Sequence, residues 1–358
     1  MVKLLMKKLK VAIYYDWLNQ WGGAERVLLD LLEIYPQADI YTLTYDSKKA
    51  SWLPKKRQIF SLHLKNKIFY TPFYGFKLEQ IDFSNYDLVI STTSTVGHCL
   101  LTPPKTLFVC YFHNINRYLY QHPPVFLKPL LLSYQKIDKI YSFRPDHIFC
   151  NSKNVAKRIQ NQYHRLAKII YPGIDTQKFI PNYQSPKKYF LIVSRLVVHK
   201  KIDLVINTFK NSSYQLKIVG SGRDEKYLKL LAKNDKNIQF LSHIDDGQLI
   251  NLYQNCLGLI YPQEEDFGLT ALEVQSCGRG VIAFNSGGAK ETIINHKTGI
   301  FFDKQDIPSL STAIKKYLKS PPQSTDCRQQ ALKFDRHYFM LNFKKQIDFL
   351  WSKHHITL

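Results

Sequence analysis

The feature that most constrains this chain is an alternation that runs through it twice. Short β-branched and aromatic runs are followed by loops carrying Gly, Asn, Ser or Pro, and then by apolar positions at helical spacing. In the first half the strand-like runs are KVAIYY (10–15), ADIYTLTYD (38–46), YDLVISTT (86–93), KTLFVCYFH (105–113), DHIFCNS (146–152) and AKIIYPGID (167–175). Val27, Leu28, Leu31, Leu32 and Ile34 mark a helix that stops before Pro36, and KNVAKRIQNQY (153–163) is another. After an aperiodic stretch with two prolines, DTQKFIPNYQSPKK (175–188), the alternation restarts. YFLIVSR, YQLKIVGSG, NIQFLSH, CLGLIYP, GVIAFN and TGIFF read as strands, with helices between them at 202–211, 224–234, 246–255, 268–278 and 307–320. The tail YFMLNFKKQIDFLWSKHH is a final amphipathic helix. Strands alternating with helices predict parallel, doubly wound sheets, here two of them joined by a linker at 175–188. Ligands of such sheets bind outside the carboxyl ends of the strands, so a cleft between two facing domains is the expected site.

Charge narrows the partners. The chain carries a net +22, and residues 1–172 hold 24 Lys+Arg against 11 Asp+Glu, a net of +13. A bias of that size predicts an anionic partner: a nucleotide, a phospholipid surface or a nucleic acid. The six cysteines occur singly, without CxxC or metal-ligand spacing, and read as buried free thiols of a reducing compartment. MVKLLMKKLK has too short and too lysine-broken an apolar run for a secretory signal, and no uninterrupted apolar run approaches the ~18 residues of a membrane span.

Four stretches carry candidate chemistry. In EEDFGLTALE (264–273), Phe267, Gly268 and Leu269 fall where a helix begins, and free N–H groups with the helix dipole favour a phosphate there. Glu265 precedes that helix and Glu273 lies two turns into it, about 12 Å further along the axis at ~1.5 Å per residue. That is about the distance from a ribose across a diphosphate to a sugar. The plainer reading has Glu265 favouring the helix start and Glu273 solvated. In VSRLVVHKKID, Ser194 and Arg195 end a strand and Lys200 follows five residues on, so two cations reach one diphosphate. Lys200 is favoured over Lys201 as its ligand; a solvated basic loop is the alternative. Gly22 and Gly23 open a helix, as a phosphate or acceptor contact or as a simple turn. His113 ends a strand and is predicted to point into the cleft, although a lone histidine is commonly structural. VGSGR (219–223) lacks the third glycine and distant acid of a dinucleotide site, and Glu264-Glu265-Asp266 offers no D-x-D, so neither NAD nor a metal is expected.

These residues resemble a known family. EDFGLTALE is similar to the E-x7-E motif of retaining GT-B glycosyltransferases of group 1, and YPQEEDFGLTALEVQSCGRGVIAFNSGGAKETI resembles that family's signature throughout. SRLVVHKKID resembles its S-R-L-x3-K-G-x-D, with Lys201 in place of glycine; Gly280 stands where proline is usual, a difference expected to touch a turn only. DWLNQWGGAERVL and CYFHNINRYLY resemble a mannosyltransferase-like subgroup, with Ile115 and Asn116 replacing a proline-containing spacer. The resemblance implies an α/β GT-B fold of two Rossmann-like domains: an acceptor domain at 1–178, a nucleotide-sugar domain at 188–335, and a helix at 336–358 returning to the first. It implies hexose transfer from a nucleotide-diphosphate sugar, first GDP-mannose, to a glycan or polyprenyl-diphosphate-linked glycan, without a further cofactor. Glu265, Arg195, Lys200 and His113 would act on the reacting groups. Gly22, Gly23, Ser194, Phe267, Gly268, Leu269 and Glu273 would hold the donor, with Glu273 on ribose. Arg117 would meet an anionic acceptor or lie solvated. A cytoplasmic location, peripheral on the plasma membrane, follows from such an acceptor. The stretches 62–77 and 123–144 mix Lys and Arg with Phe, Tyr and Leu, as a membrane-facing surface or as core helices with solvated lysines; Phe126, Leu127 and Leu130 are the candidates for shallow insertion. Two rival readings are a GT-B nucleotide-sugar epimerase and a basic nucleic-acid-binding protein; the latter leaves the Glu pair unexplained.

Overall fold

A computed structural model describes residues 9–54, 57–64, 71–120, 128–210, 212–233, 235–242 and 244–354. The chain divides into two compact units, residues 1–171 with 339–358, and residues 172–338.

The first unit runs β1 (Val11–Leu18), α1 (Gly23–Ile34), β2 (Asp39–Tyr45), β3 (Ile59–Ser61), α2 (Thr71–Leu78), β4 (Leu88–Thr93), β5 (Leu107–Phe112), α3 (Arg117–Tyr120), α4 (Lys128–Tyr141), β6 (His147–Cys150), α5 (Lys153–Tyr163) and β7 (Lys168–Ile169). Its sheet is parallel, in the order β3-β2-β1-β4-β5-β6-β7, with Ile13 beside Ile40 on one side and Ile90 on the other. β4 and β5 are buried at every residue, as expected of a parallel sheet covered by helices on both faces. β3 is a three-residue edge strand that the sequence pattern does not announce.

The second unit runs β8 (Tyr189–Val193), α6 (Ile202–Phe209), β9 (Gln215–Val219), α7 (Glu225–Leu231), β10 (Ile238–Leu241), α8 (Asp246–Asn255), β11 (Gly258–Tyr261), α9 (Leu269–Ser276), β12 (Gly280–Phe284), α10 (Ala289–Thr292), β13 (Gly299–Phe302), α11 (Ile307–Lys319), α12 (Ser324–Leu332) and α13 (Arg336–His354), whose residues from Phe339 belong to the first unit. Its parallel sheet is ordered β10-β9-β8-β11-β12-β13. In both sheets the strand order reverses once, between β1 and β4 and between β8 and β11. The carboxyl ends of those strand pairs are where a doubly wound sheet holds its ligand.

The structure differs from the sequence reading at two places. Residues 175–188 do not link the units, because the chain crosses into the second unit already at 171–172. Phe179 is buried in that unit's core, and Arg328 fixes the stretch by donating to the carbonyls of Thr176 (2.9 Å) and Phe179 (2.6 Å). Where the chain enters and leaves this unit it runs side by side: Ile174 N–H donates to Phe334 O and Arg336 N–H to Ile174 O, both at 2.9 Å. Lastly, Gly280 is not in a turn. It opens β12 beside Gly258, and a Cβ there would lie 2.6 Å from Pro322 and 2.8 Å from the Tyr317 hydroxyl.

All six cysteines are free and buried. Burial pushes the Cys256, Cys277 and Cys327 thiols up to about 12, so they are inert core residues.

Candidate active site

The second unit gathers its candidates at the β8–β11 switch point. The ladder of β8 continues to Ser194, whose N–H donates to Val219 O (3.1 Å). The GxG of VGSGR serves this turn: Leu196 N–H bonds Ser221 O (2.9 Å), and a Cβ on Gly220 or Gly222 would strike the Ser194 or Leu196 carbonyl. Arg195 therefore leaves the strand end exposed, and its guanidinium makes no hydrogen bond or ion pair with a described residue. A short 3-10 turn, Val198–Lys200, then carries Lys200 inward, where it is 7% exposed and its Nζ pairs with Glu265 Oε1. The structure thus brings together two of the predicted residues, 65 positions apart. Lys201 caps this turn in the left-handed region (φ 53, ψ 34), which explains why glycine suits the position and why its side chain does not follow that of Lys200.

Glu265 follows β11 and is held from two directions. Gln263 Nε2 donates to its Oε1 (3.3 Å), and Gly288 N–H donates to its carbonyl (2.8 Å). Beside it Ser286 Oγ donates to Glu264 Oε2 (2.8 Å). Gly268 starts α9 at φ 99, a conformation glycine adopts without strain, and a Cβ there would stand 2.7 Å from the Tyr261 hydroxyl. No side chain caps this helix, so N–H groups of its first turn, beginning at Leu269, are available to an anion. Phe267 is buried, its ring 5.7 Å from that of Phe334, and contributes backbone to the turn rather than a reactive side chain.

Glu273 lies elsewhere than a solvated helix face. It is 2% exposed, and its Oε2 accepts from the Tyr253 hydroxyl at 2.8 Å. The helix is covered all round: every residue from Ala271 to Ser276 is buried. Tyr253, Gln263 and Gly288 have no reactive signature and were not singled out by the sequence; only the SGGAKE stretch hinted at the last.

In the first unit Gly22 and Gly23 start α1, again without a side-chain cap, and Glu25 is buried with its Oε1 accepting from the Tyr15 hydroxyl (2.5 Å). The switch point is stitched by Asp16, which the sequence offered only as the first residue of DWLNQWGGAERVL. Its carboxylate accepts from Thr93 Oγ1 (2.9 Å) and from the N–H groups of Ser94 (2.7 Å) and Thr95 (3.1 Å). Burial raises its carboxyl against those lowering bonds. The ring of His113 does not project openly from its strand end. It is 8% exposed, and its Nε2 bonds Thr92 Oγ1 at 2.8 Å. Among the described residues one cluster, His98, Cys99 and Asp138, brings three potential metal-ligand atoms within 4.8 Å, but both Asp138 oxygens are already engaged by protein donors. Among those residues no helix is long and apolar enough to cross a membrane.

The second unit thus gathers two cations, an uncapped helix start and two carboxylates on one turn-and-helix segment, a composition that suits an anionic ligand. Residues 21–178 match the model described as Glycosyltransferase Family 4, and residues 173–334 that described as Glycosyl transferases group 1. An alpha-1,3/1,6-mannosyltransferase of Dictyostelium discoideum is 24% identical over 388 residues, covering 89% of this chain and 91% of its own. A GDP-mannose-dependent monoacylated alpha-(1-6)-phosphatidylinositol monomannoside mannosyltransferase of Corynebacterium glutamicum is 34% identical over 142 residues, 36% of this chain and 37% of its own. The structure of Anabaena HepE in complex with UDP and glucose superposes with a TM-score of 0.72 at 17% identity, covering 95% of this chain and 99% of that one. The two parallel Rossmann-like sheets and the paired domain matches, which together span residues 21–334, place this chain among the group 1 glycosyltransferases of GT-B fold.

Proposed function

We propose that the protein transfers a mannosyl residue from GDP-mannose to a polyprenyl-diphosphate-linked glycan or a related glycan, with retention of anomeric configuration. The observation that carries this reading is the Lys200–Glu265 pair beside the exposed Arg195 and the uncapped start of α9. Arg195, Lys200 and the N–H groups of Gly268 and Leu269 take the diphosphate. Their positive charge stabilises it as the bond from the anomeric carbon to the phosphate oxygen breaks. The acceptor oxygen forms its bond to that carbon on the same face, and its proton passes to the departing diphosphate, so no protein nucleophile is needed. Glu265 holds sugar hydroxyls, Glu273 the ribose and Ser194 the phosphate side. Mannose is supported by the mannosyltransferase relatives and by the DWL…GGAERVL stretch; the UDP of the Anabaena protein makes the base the first thing to test.

The experiment is a thermal-shift screen against GDP-, UDP- and ADP-sugars, followed by product NMR. A ligand at 100 times its dissociation constant stabilises by roughly 2.7 kcal/mol. GDP-mannose is expected to give the largest shift, the product to keep the α configuration, and activity to survive EDTA. A larger shift with a UDP-sugar, an inverted product, or loss of activity in EDTA restored by manganese would each overturn the corresponding part. Conversion of the donor without any acceptor would identify an epimerase instead.

A further inference from the structure

We propose that a face of the first unit built around α4 docks on the anionic surface of a lipid bilayer. Asp138, in the last turn of α4, is fully buried, and its carboxylate accepts from His98 Nε2 (3.0 Å), the Tyr120 hydroxyl (2.9 Å) and the Tyr163 hydroxyl (2.8 Å). These donors come from the turn Gly97–Cys99, from α3 and from α5. A buried carboxylate with three donors cannot turn outward without losing all of them, so the rotation of α4 about its axis is fixed. Tyr134 and Tyr141 share its buried side.

At 3.6 residues per turn the opposite side is then dictated. It carries Leu132 and Ile140, with Phe143 just past the helix end, 61%, 67% and 61% exposed, interleaved with Lys136 and Lys139. α2 lies alongside. Its Gly75 faces the Tyr141 ring so closely that a Cβ would lie 2.7 Å from it, and Glu79, just past its end, is paired with Arg144 (2.5 Å). α2 adds exposed Phe76 and Lys77 to the same neighbourhood. Lys77, Lys136 and Lys139 make no ion pair with any described residue, and the acids of this neighbourhood, Asp138 and Glu79, are both engaged by protein donors.

The mixture identifies the occupant. Protein–protein interfaces are depleted in lysine at their apolar centres. Exposed aliphatic and aromatic side chains interleaved with unpaired lysines suit instead the headgroup boundary of an anionic bilayer, where the chains enter shallowly and the ammonium groups meet phosphate. The net +13 of residues 1–172 adds long-range attraction of the same sign. Phe126 and Leu127, favoured on sequence for insertion, lie outside the described residues, as does the Leu130 side chain. This surface is not the transfer site proposed above.

Co-sedimentation with phosphatidylcholine vesicles, with and without phosphatidylserine, at low and high salt, tests it. The full chain is expected to bind the anionic vesicles at low salt, to be partly released by salt, and to ignore the neutral ones. Leu132→Glu/Ile140→Glu and Lys136→Glu/Lys139→Glu are each expected to weaken partition about tenfold or more. Their melting temperature and nucleotide-sugar thermal shift should match the parent, which separates this surface from the transfer site. Equal binding to both vesicle types, binding to neither, or parental binding by both double variants overturns the proposal. Vesicle-independent self-association abolished by Leu132→Glu/Ile140→Glu overturns it too, and assigns the face to a second copy of the chain.

Discussion

Lys200 and Lys201 carry the same charge one position apart, yet the backbone sends them to different tasks. The left-handed conformation at Lys201 ends the turn that buries Lys200 against Glu265. Lys200→Ala should therefore lower kcat by about 10²–10³, the scale of one preorganised charge-stabilising group, and Lys201→Ala should change it little. Lys201→Gly should raise stability by up to about 1 kcal/mol, because left-handed strain is removed while some unfolded-state entropy is added; urea melts check this. Tyr253 is the second residue-scale case. Its hydroxyl orients Glu273, so Tyr253→Phe should raise the donor KM by about tenfold, the worth of one hydrogen bond to a charged group, with kcat nearly unchanged. A kcat loss with constant KM would remove Glu273 from the ribose. The spacing of Glu265 and Glu273 was legible in the sequence, since it is a property of order along the chain. The burial of Glu273 was not: α9 is covered on every side and so shows no apolar stripe from which an inner face could be read.

At the scale of elements, the edge of β12 shows how a departure from a family pattern is absorbed. The Tyr317 hydroxyl donates to Leu257 O (2.8 Å) and lies where a Cβ on Gly280 would meet it at 2.8 Å, so one side chain of α11 bonds the residue before β11 and packs against the start of β12. Proline, usual here in the family, needs the space that Tyr317 and Pro322 fill. Gly280→Ala should destabilise the protein by about 1–3 kcal/mol through overpacking, and pairing it with Tyr317→Phe should recover little, because Pro322 remains; denaturant titration of both variants checks this. The strands of the second unit were legible because fully buried parallel strands are continuous apolar runs. α12 was not, because STDCRQQAL buries only Cys327, Gln330 and Ala331 and has no periodicity to detect. The stretch 175–188 misled for the same reason: its order comes from Arg328, about 150 residues away, and not from its own pattern.

At the scale of the whole molecule, the first unit's stability should depend on pH through His98. Burial opposes the imidazolium, but Cys99 and Asp138 beside it outweigh burial and hold the group well above its usual value. A raised folded-state value means that the contribution is fully present below about pH 6.5, the unfolded value, and is lost as pH rises through the folded one. Urea unfolding of the first unit should therefore weaken from neutral to alkaline pH. His98→Gln should be less stable at pH 6 and flatter with pH; an identical slope in the variant would exclude His98 as its source. The two-unit plan was legible from the repeated alternation, but the division of α13 was glimpsed only through the family resemblance, because an amphipathic helix does not say which sheet it covers. That division has a consequence for how the protein is made. The first unit's sheet leaves Tyr111 and Phe149 waiting for Phe339 and Phe343, whose rings reach them at 5.9 and 5.6 Å. On the ribosome those partners emerge only after the whole second unit has been translated, on the order of ten to thirty seconds later. The nascent first half must spend that interval with one apolar face uncovered, so it is the part most dependent on chaperones, and a ribosome stalled in the second half would release a first half unable to finish folding.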